Sequence, residues 1–271
     1  MPRERGTHHV QPHGSAYPGV EAVTLASDRA FPRHAHDQFG LGVLSTGAQR
    51  SWSGIGPVEA GPGDIITVNP GEMHDGVPMD ARGRHWRMLY FDPPVLARAL
   101  HDEILHPVEI TRPVLRDTRL AGRFARLFAA ITAPAPDRLA VEEEMLRTLA
   151  LLLRRHGARR PPRREPPPCI RLALRRLDAA PDQPASLAEL AALAGVSRFQ
   201  LLRGFVRDVG ITPYAYLLQR RVGLARQLLK TGLAPAEAAA AAGFADQSHM
   251  TRAFVRQFGV TPARYRAAVM R

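Results

Sequence analysis

The end of the chain repeats itself. Shifted by 49 positions, Arg203 falls on Arg252, Phe205-Val206-Arg207 on Phe254-Val255-Arg256, Gly210 on Gly259, Thr212-Pro213 on Thr261-Pro262 and Tyr216 on Tyr265, which is 8 identities in 14 positions. Two copies of one supersecondary unit are therefore present. Each copy reads as helix, tight turn, helix. In the first, Ser186 and Glu189 have capping-box spacing, Gly195-Val196 makes the turn, and Ser197 and Gln200 form a second box. Leu201 and Phe205, four residues apart, face inward. In the second, Pro235 opens a helix that runs through the alanines of 238–242, a strong helix-forming string. Gly243-Phe244-Ala245 makes its turn, Asp246 caps the next helix, and Met250 and Phe254 repeat the Leu201/Phe205 pair. Residues 214–230 supply one connecting helix. Helix, short glycine-containing turn and second helix is the helix-turn-helix pattern.

Charge and proline place a boundary in front of this region. Residues 169–271 carry 15 Lys+Arg against 6 Asp+Glu, a net +9, whereas residues 1–160 carry 20 against 18. Coding bias can account for arginine over lysine, since Lys230 is the only lysine, but not for acids being scarce only at the back. A basic domain is the electrostatic footprint of a polyanion binder. Residues 158–168, ARRPPRREPPP, hold five prolines and four arginines in eleven positions, which excludes a helix or a central strand and gives an extended linker. Two independent signals thus divide the chain. The expected layout is a flexible arm over 1–17, a first domain over 18–157, the linker over 158–168 and a DNA-binding domain over 169–271.

The outward faces of the second helices carry the chemistry. With Leu201 and Phe205 inward, Arg198, Phe199, Leu202 and Arg203 point out; in the second copy Gln247, Ser248, His249, Thr251 and Arg252 do so. Arg and Gln read base edges through paired hydrogen bonds, and helix N-termini with nearby arginines hold phosphates. The stretches LAALAGVSRFQLLRGFVRDVGITPYAYL and AEAAAAAGFADQSHMTRAFVRQFGVTPARYR, with their GF-x-D-x-S-H-x-x-R-x-F and G-x-T-P-x-x-Y-R strings, resemble the AraC/XylS-type DNA-binding domain over residues 170–266. The resemblance implies two recognition helices entering successive major grooves on one face of the duplex. It makes Phe199, Leu202, Arg203, Gln247, Ser248, His249, Thr251 and Arg252 the base-reading candidates, and the outward-facing Arg198 joins them in the expected DNA-binding set. Leu202 stands where relatives are often polar, so it can meet a thymine methyl at most.

The front half reads as β. Residues 19–27, 39–46, 48–54, 64–68 and 84–91 are short apolar or alternating runs separated by Gly, Pro, Asn and Asp, the spacing of a sandwich or barrel. Residues 93–101, 117–131 and 137–156 have helical spacing. In the last, Val141, Met145, Leu149 and Leu152 form one stripe with Leu146 and Leu153 beside it. That stripe fits packing on its own barrel and dimerisation equally well. Pro32-Arg33-His34-Ala35-His36, then Gly61-Pro62-Gly63-Asp64 and Asn69-Pro70-Gly71-Glu72-Met73-His74, resemble the two half-motifs of a cupin, the sensor barrel of many such regulators. The fold class is therefore two domains: an all-β cupin-like barrel with appended helices, then an all-α domain with two helix-turn-helix units.

His34, His36 and His74 could form a three-histidine metal set of the kind cupin enzymes use. Those enzymes place an acid four or five residues after the second histidine, where this chain has Gly40 and Leu41. The favoured reading is accordingly no metal and no cofactor, with the histidines hydrogen-bonding a ligand or the rim. His34, His36, Arg50, Trp52, His74, His85 and Trp86 are the expected ligand-binding wall, the Trp and Arg suiting a planar or anionic small molecule.

The chain then reads as a transcriptional regulator, not an enzyme. Its expected partners are double-stranded DNA, a small-molecule effector and a second copy of itself in a homodimer. The resemblance implies activation and admits RNA polymerase as a further partner. Two rivals stand beside this reading: a ligand-independent regulator whose barrel only dimerises, and a metal-dependent cupin enzyme. The lone Cys169 excludes a disulfide framework and a cysteine zinc site. No apolar run approaches the ~18 residues of a membrane helix, and residues 1–14 lack the apolar core of a secretory signal, so no membrane partner and a cytoplasmic location are expected.

Overall fold

The computed structural model describes residues 8–99, 108–159 and 165–270. The chain divides into two compact units, one within Met1–Pro161 and one within Pro162–Met270.

The first unit contains β1 (His8–His13), β2 (Val20–Ser27), β3 (Phe31–His34), β4 (Phe39–Thr46), β5 (Gln49–Ser53), β6 (Gly56–Ala60), β7 (Ile65–Val68), β8 (His74–Pro78) and β9 (Arg84–Phe91). After these come α1 (Pro93–Ala99), β10 (Val108–Ile110), β11 (Val114–Leu115), α2 (Thr118–Ile131), α3 (Arg138–His156) and β12 (Gly157–Arg159). A six-stranded sheet in the order β1-β2-β9-β4-β7-β11 faces a four-stranded sheet β3-β8-β5-β6, and β10 pairs with β12. Alternation along the central strand β9 sorts its side chains. Leu89 and Phe91 join Val20, Ala22, Phe39, Leu41 and Ile65 in the core beneath α2 and α3. Arg84, Trp86, Met88 and Tyr90 point the other way, into the space between the sheets.

The stripe on α3 is resolved by this packing. Val141, Met145, Leu149 and Leu152 are buried in the unit's own core with Leu120, Phe124, Leu127 and Ile131 of α2. Two ionic clusters tie the two helices together, one in which Arg123 and Arg126 of α2 pair with Glu144 of α3 and one built on Asp117. Asp117 caps α2 by accepting from the Leu120 N–H, and its other oxygen accepts from His156 Nε2 at 2.8 Å and pairs with Arg155 at 2.9 Å, both at the end of α3.

Two expected boundaries need correction. The flexible arm over 1–17 does not hold where it is described: residues 8–13 form β1, paired in register with β2 from His8↔Ser27 to His13↔Ala22. His8 and His13 hold Ser27 and Thr24 by side-chain hydrogen bonds, so a polar strand is pinned at its edge. The linker over 158–168 is also shorter than its composition suggests. Residues 157–159 pair as β12, Pro168 opens the next helix, and 160–164 lie outside the described residues.

The second unit is all helical: α4 (Pro168–Ala179), α5 (Leu187–Ala194), α6 (Arg198–Val209), α7 (Pro213–Lys230), α8 (Pro235–Ala241), α9 (Gln247–Phe258) and α10 (Pro262–Val269). The repeat is visible as duplicated packing. Leu201 and Met250, Phe205 and Phe254 are fully buried equivalents. Phe205 meets Tyr216 edge-on at 5.7 Å between centroids, and Phe254 meets Tyr265 at 5.4 Å. Gly210 and Gly259 both end their helices in the left-handed conformation, and Thr212 and Thr261 cap the helices that follow. Both capping boxes of the first copy are formed. Helices α4 and α10 are the elements of this unit that the sequence pattern does not announce. Proline is tolerated at the first position of α4, where no helical partner for the N–H exists, and Ile170, Ala173 and Leu177 close the first core against Leu190, Leu201, Phe205 and Leu217.

Burial raises the pKa of Asp117, but hydrogen bonds from His156 and Leu120 and the charge of Arg155 outweigh it and hold the carboxyl below its ordinary value. Its stabilisation is therefore present above the unfolded carboxylate value, about 3.9, and lost as pH falls through the lower folded value. Asp117→Ala should cost about 1–2 kcal/mol in denaturant titration at neutral pH. The gap to the parent chain should close in acid; a gap that persists or widens there would refute this assignment.

Candidate nucleic-acid interface and barrel interior

Each recognition helix buries one face and leaves the other to solvent. On α6, Leu201 and Phe205 are inside, while Arg198, Phe199 and Arg203 are exposed and Leu202 is half-buried. Phe199 is 66% exposed, which nothing in the core explains, and the Arg203 guanidinium lies over its ring at 5.4 Å. On α9, Gln247, Ser248 and Arg252 are exposed and Thr251 is half-buried. His249 is also half-buried, because its ring packs edge-on against Phe244 of the turn at 5.3 Å. The structure thus groups four of the expected residues on α6 and five on α9, with Leu202, His249 and Thr251 half-buried. The α9 N-terminus is shaped by Asp246, which accepts from the His249 N–H, and the α8 N-terminus by Glu237, which accepts from the Ala234 N–H.

The turn between α8 and α9 depends on Gly243. Its φ is +78°, and an added Cβ would overlap the Asp182 carbonyl oxygen. Both features exclude an L side chain.

Between the two sheets of the first unit, the expected wall is only partly assembled. His34, His36, His74 and Trp86 face the interior. Arg50, Trp52 and His85 do not, which corrects their assignment. Arg50 pairs with Glu59 at the exposed surface, at 2.9 Å. Trp52 shares its face two residues on, where Arg33 covers its ring at 3.8 Å. His85 alternates with Arg84 and Trp86 onto the helix side of β9, the side on which Arg87 lies over Phe128. A one-residue register choice separates these outcomes on β5 and β9.

Arg84 takes the place expected of Arg50. It is 3% exposed; its Nε donates to Gln49 Oε1 at 2.8 Å, its Nη1 to the Arg29 carbonyl and its Nη2 to the Gly76 carbonyl. Its guanidinium lies 4.7 Å from the Trp86 ring and 5.5 Å from that of Phe31. Burial pulls its pKa down to about 10, which leaves it a cation. Among the described residues it has no carboxylate partner. Its sequence signal is faint, an arginine opening a strand otherwise typical of a core. Tyr90 lines the same interior, with its ring 5.4 Å from that of His36.

The histidines converge. Ring centroids are 4.7 Å apart for His34–His36, 4.4 Å for His34–His74 and 5.0 Å for His36–His74. Cross-strand register places His34 directly opposite His74. His34 Nδ1 donates to the Pro32 carbonyl at 2.7 Å and His74 Nδ1 to the Glu72 carbonyl at 2.9 Å. Burial and the neighbouring His74 push the His34 pKa down to about 3, and burial lowers that of His74, so both rings are neutral.

Comparison with known proteins agrees with both halves of this arrangement. Residues 18–149 match the AraC-like ligand binding domain, and residues 190–268 match a helix-turn-helix domain. The HTH-type transcriptional regulator YbfI of Bacillus subtilis (strain 168) is 30% identical over 256 residues, 92% of this chain and 91% of YbfI. LumQ of Photobacterium leiognathi is 38% identical over 81 residues, 30% of this chain and 33% of LumQ, so that likeness covers only part of each. The crystal structure of ToxT from Vibrio cholerae O395 superposes with a TM-score of 0.54 over 97% of this chain and 98% of that chain, at 12% identity, which shows the shared fold. A ligand-binding β domain followed by paired helix-turn-helix units defines a DNA-binding transcriptional regulator. The chain belongs to the AraC family of such regulators. No helix among the described residues is long and apolar enough to cross a membrane.

Gly243→Ala should destabilise the second unit by at least about 1 kcal/mol in thermal or denaturant unfolding, since the substitution needs φ > 0 and has no room. An unchanged midpoint would show that the turn is not held as described.

Proposed function

We propose that α6 and α9 read base edges in successive major grooves, and that a small molecule in the barrel controls how they do so. The observation that supports this most is the duplicated, exposed arginine: Arg203 and Arg252 occupy equivalent positions of two helices that bury equivalent residues, in a region of net +9. Arg198, Phe199, Gln247, Ser248 and Thr251 flank them. Leu202 and His249 contribute apolar or packing contact.

For the effector, Arg84, Trp86 and Tyr90 favour a small organic acid with a planar or apolar body. Arg84 uses three of its five N–H donors and lacks a carboxylate partner among the described residues. One ToxT structure holds an unsaturated fatty acid. The mechanism is a population shift, which needs the ligand to bind one arrangement more tightly than the other. A second reading, a barrel that only dimerises, draws on the tight interior near β4: a Cβ on Gly42 would overlap Met88 Sδ. Dimerisation would use Leu139 and Leu146, which stay exposed on α3 once its stripe is buried. Acting as an activator in the cytoplasm, with RNA polymerase as a further partner, completes the proposal.

DNA affinity of the full chain should fall steeply with salt, in proportion to the phosphates neutralised. Arg203→Ala and Arg252→Ala should each relax base preference in one half-site and cost about 1–3 kcal/mol in binding titrations. Unchanged preference in either variant would exclude that helix from the groove. A thermal-shift screen of organic acids separates the two readings of the barrel: a stabilising acid whose effect Arg84→Met abolishes supports the effector site, and silence supports the dimeriser.

A further inference from the structure

The three interior histidines are arranged as ligands rather than as hydrogen-bonding partners of one another. Each offers a ring nitrogen, and the three atoms lie within 4.8 Å of one another. In His34 and His74 the proton sits on Nδ1, donated to a backbone carbonyl, so Nε2 carries the lone pair. Two imidazole lone pairs held in one such cluster gain nothing from each other. A cation between them satisfies both. Fixing the remote N–H on a carbonyl is also what orients an imidazole for a metal. Donor atoms on a tetrahedral ion with bonds of about 2.1 Å sit about 3.4 Å apart, within reach of small ring rotations from the observed spacing.

We propose that His34, His36 and His74 bind one divalent transition-metal ion of the zinc class. This departs from the sequence expectation, which weighed the missing acid against a metal. The two positions where an acid would be sought are closely packed, and the three histidines cluster without one. Gly40 faces the interior, and a Cβ there would stand 3.2 Å from Met88 Cε and 3.3 Å from Tyr90 Cε1, so a side chain at this position would have to displace both neighbours. Leu41 is fully buried in the core under the helices. Among the described residues no carboxylate joins the cluster. Three neutral nitrogen ligands leave the full double charge of the ion and at least one open position. Such a centre prefers an anionic oxygen donor in that position. The inference stands without the effector reading, because metal binding is measured without effector or DNA.

The test uses the untagged full chain, stripped with a chelator and dialysed, then titrated with Zn²⁺ against a chromophoric competitor and with Co²⁺ by visible absorption. One ion per chain is expected, with a rise in Tm. His34→Gln and His74→Gln should each weaken Zn²⁺ binding by about 100-fold or more, whereas His9→Gln and His85→Gln should leave it unchanged. X-ray absorption of the Zn²⁺-loaded parent chain should show three imidazoles, which keeps the test intact if a variant fails to fold. Less than one ion per chain, a spectrum without three imidazoles, or binding undiminished in well-folded His34→Gln and His74→Gln would overturn the site. Sequence-specific DNA binding by the metal-free chain is a separate readout, so its loss or retention bears on the DNA reading alone.

Discussion

Strand β9 has to satisfy two interiors at once, and most of the first unit follows from how it does so. It lies between β2 and β4, paired with β2 from Val20↔Phe91 to Ser27↔Arg84 and with β4 from Phe39↔Phe91 onward. Its two-residue period sends Leu89 and Phe91 to the helices and Arg84, Trp86, Met88 and Tyr90 to the space between the sheets. The helix side is sealed by α2 and α3, whose ends Asp117 joins to His156 and Arg155. The other side is where polar chemistry collects: a buried guanidinium near one end, and three imidazoles with a tyrosine toward the other. A slip of one residue would exchange these populations, placing a cation in the apolar core and leucines among the histidines.

The second unit solves a different problem, presenting two similar surfaces from one chain. Each copy turns its apolar residues inward, Leu201 and Phe205 or Met250 and Phe254, and closes its phenylalanine against a tyrosine of the following helix in equivalent geometry. The caps use local side chains: Ser186, Ser197, Thr212, Asp246 and Thr261 each accept from a backbone N–H of the first turn they open. Arg176, Arg207 and Arg220 pair with acids of the same unit, whereas Arg203 and Arg252 remain exposed on the outer faces of their helices.

Much of this was legible in the sequence because the signals were local. The repeat, the capping boxes and the Gly-containing turns depend on residues within a few positions of each other, and all reappear in the structure. The helical stretches at 117–131 and 137–156 were legible for the same reason. Other features were hidden by competing signals. Strand β1 reads as polar because its histidines bond outward across an edge. The short strands β3, β6 and β8 are interrupted by Pro or Gly. Helix α4 is masked by the prolines that precede it. The barrel wall was the least legible part, since Arg50, Trp52 and His85 differ from Arg84, Gln49 and Trp86 only by strand parity, which sequence alone does not settle. The histidine pair i, i+2 was legible; that His74 stands opposite His34 required the register of β3 on β8.

The central claim is that one chain reads DNA through two equivalent helices. Selection of bound duplexes from a random pool by the full chain tests it most directly. The account predicts two short conserved blocks whose centres lie about one helical turn, ~10 base pairs, apart. Insertion of half a turn between them should abolish high-affinity binding. A single conserved block, or two blocks indifferent to their spacing, would contradict it.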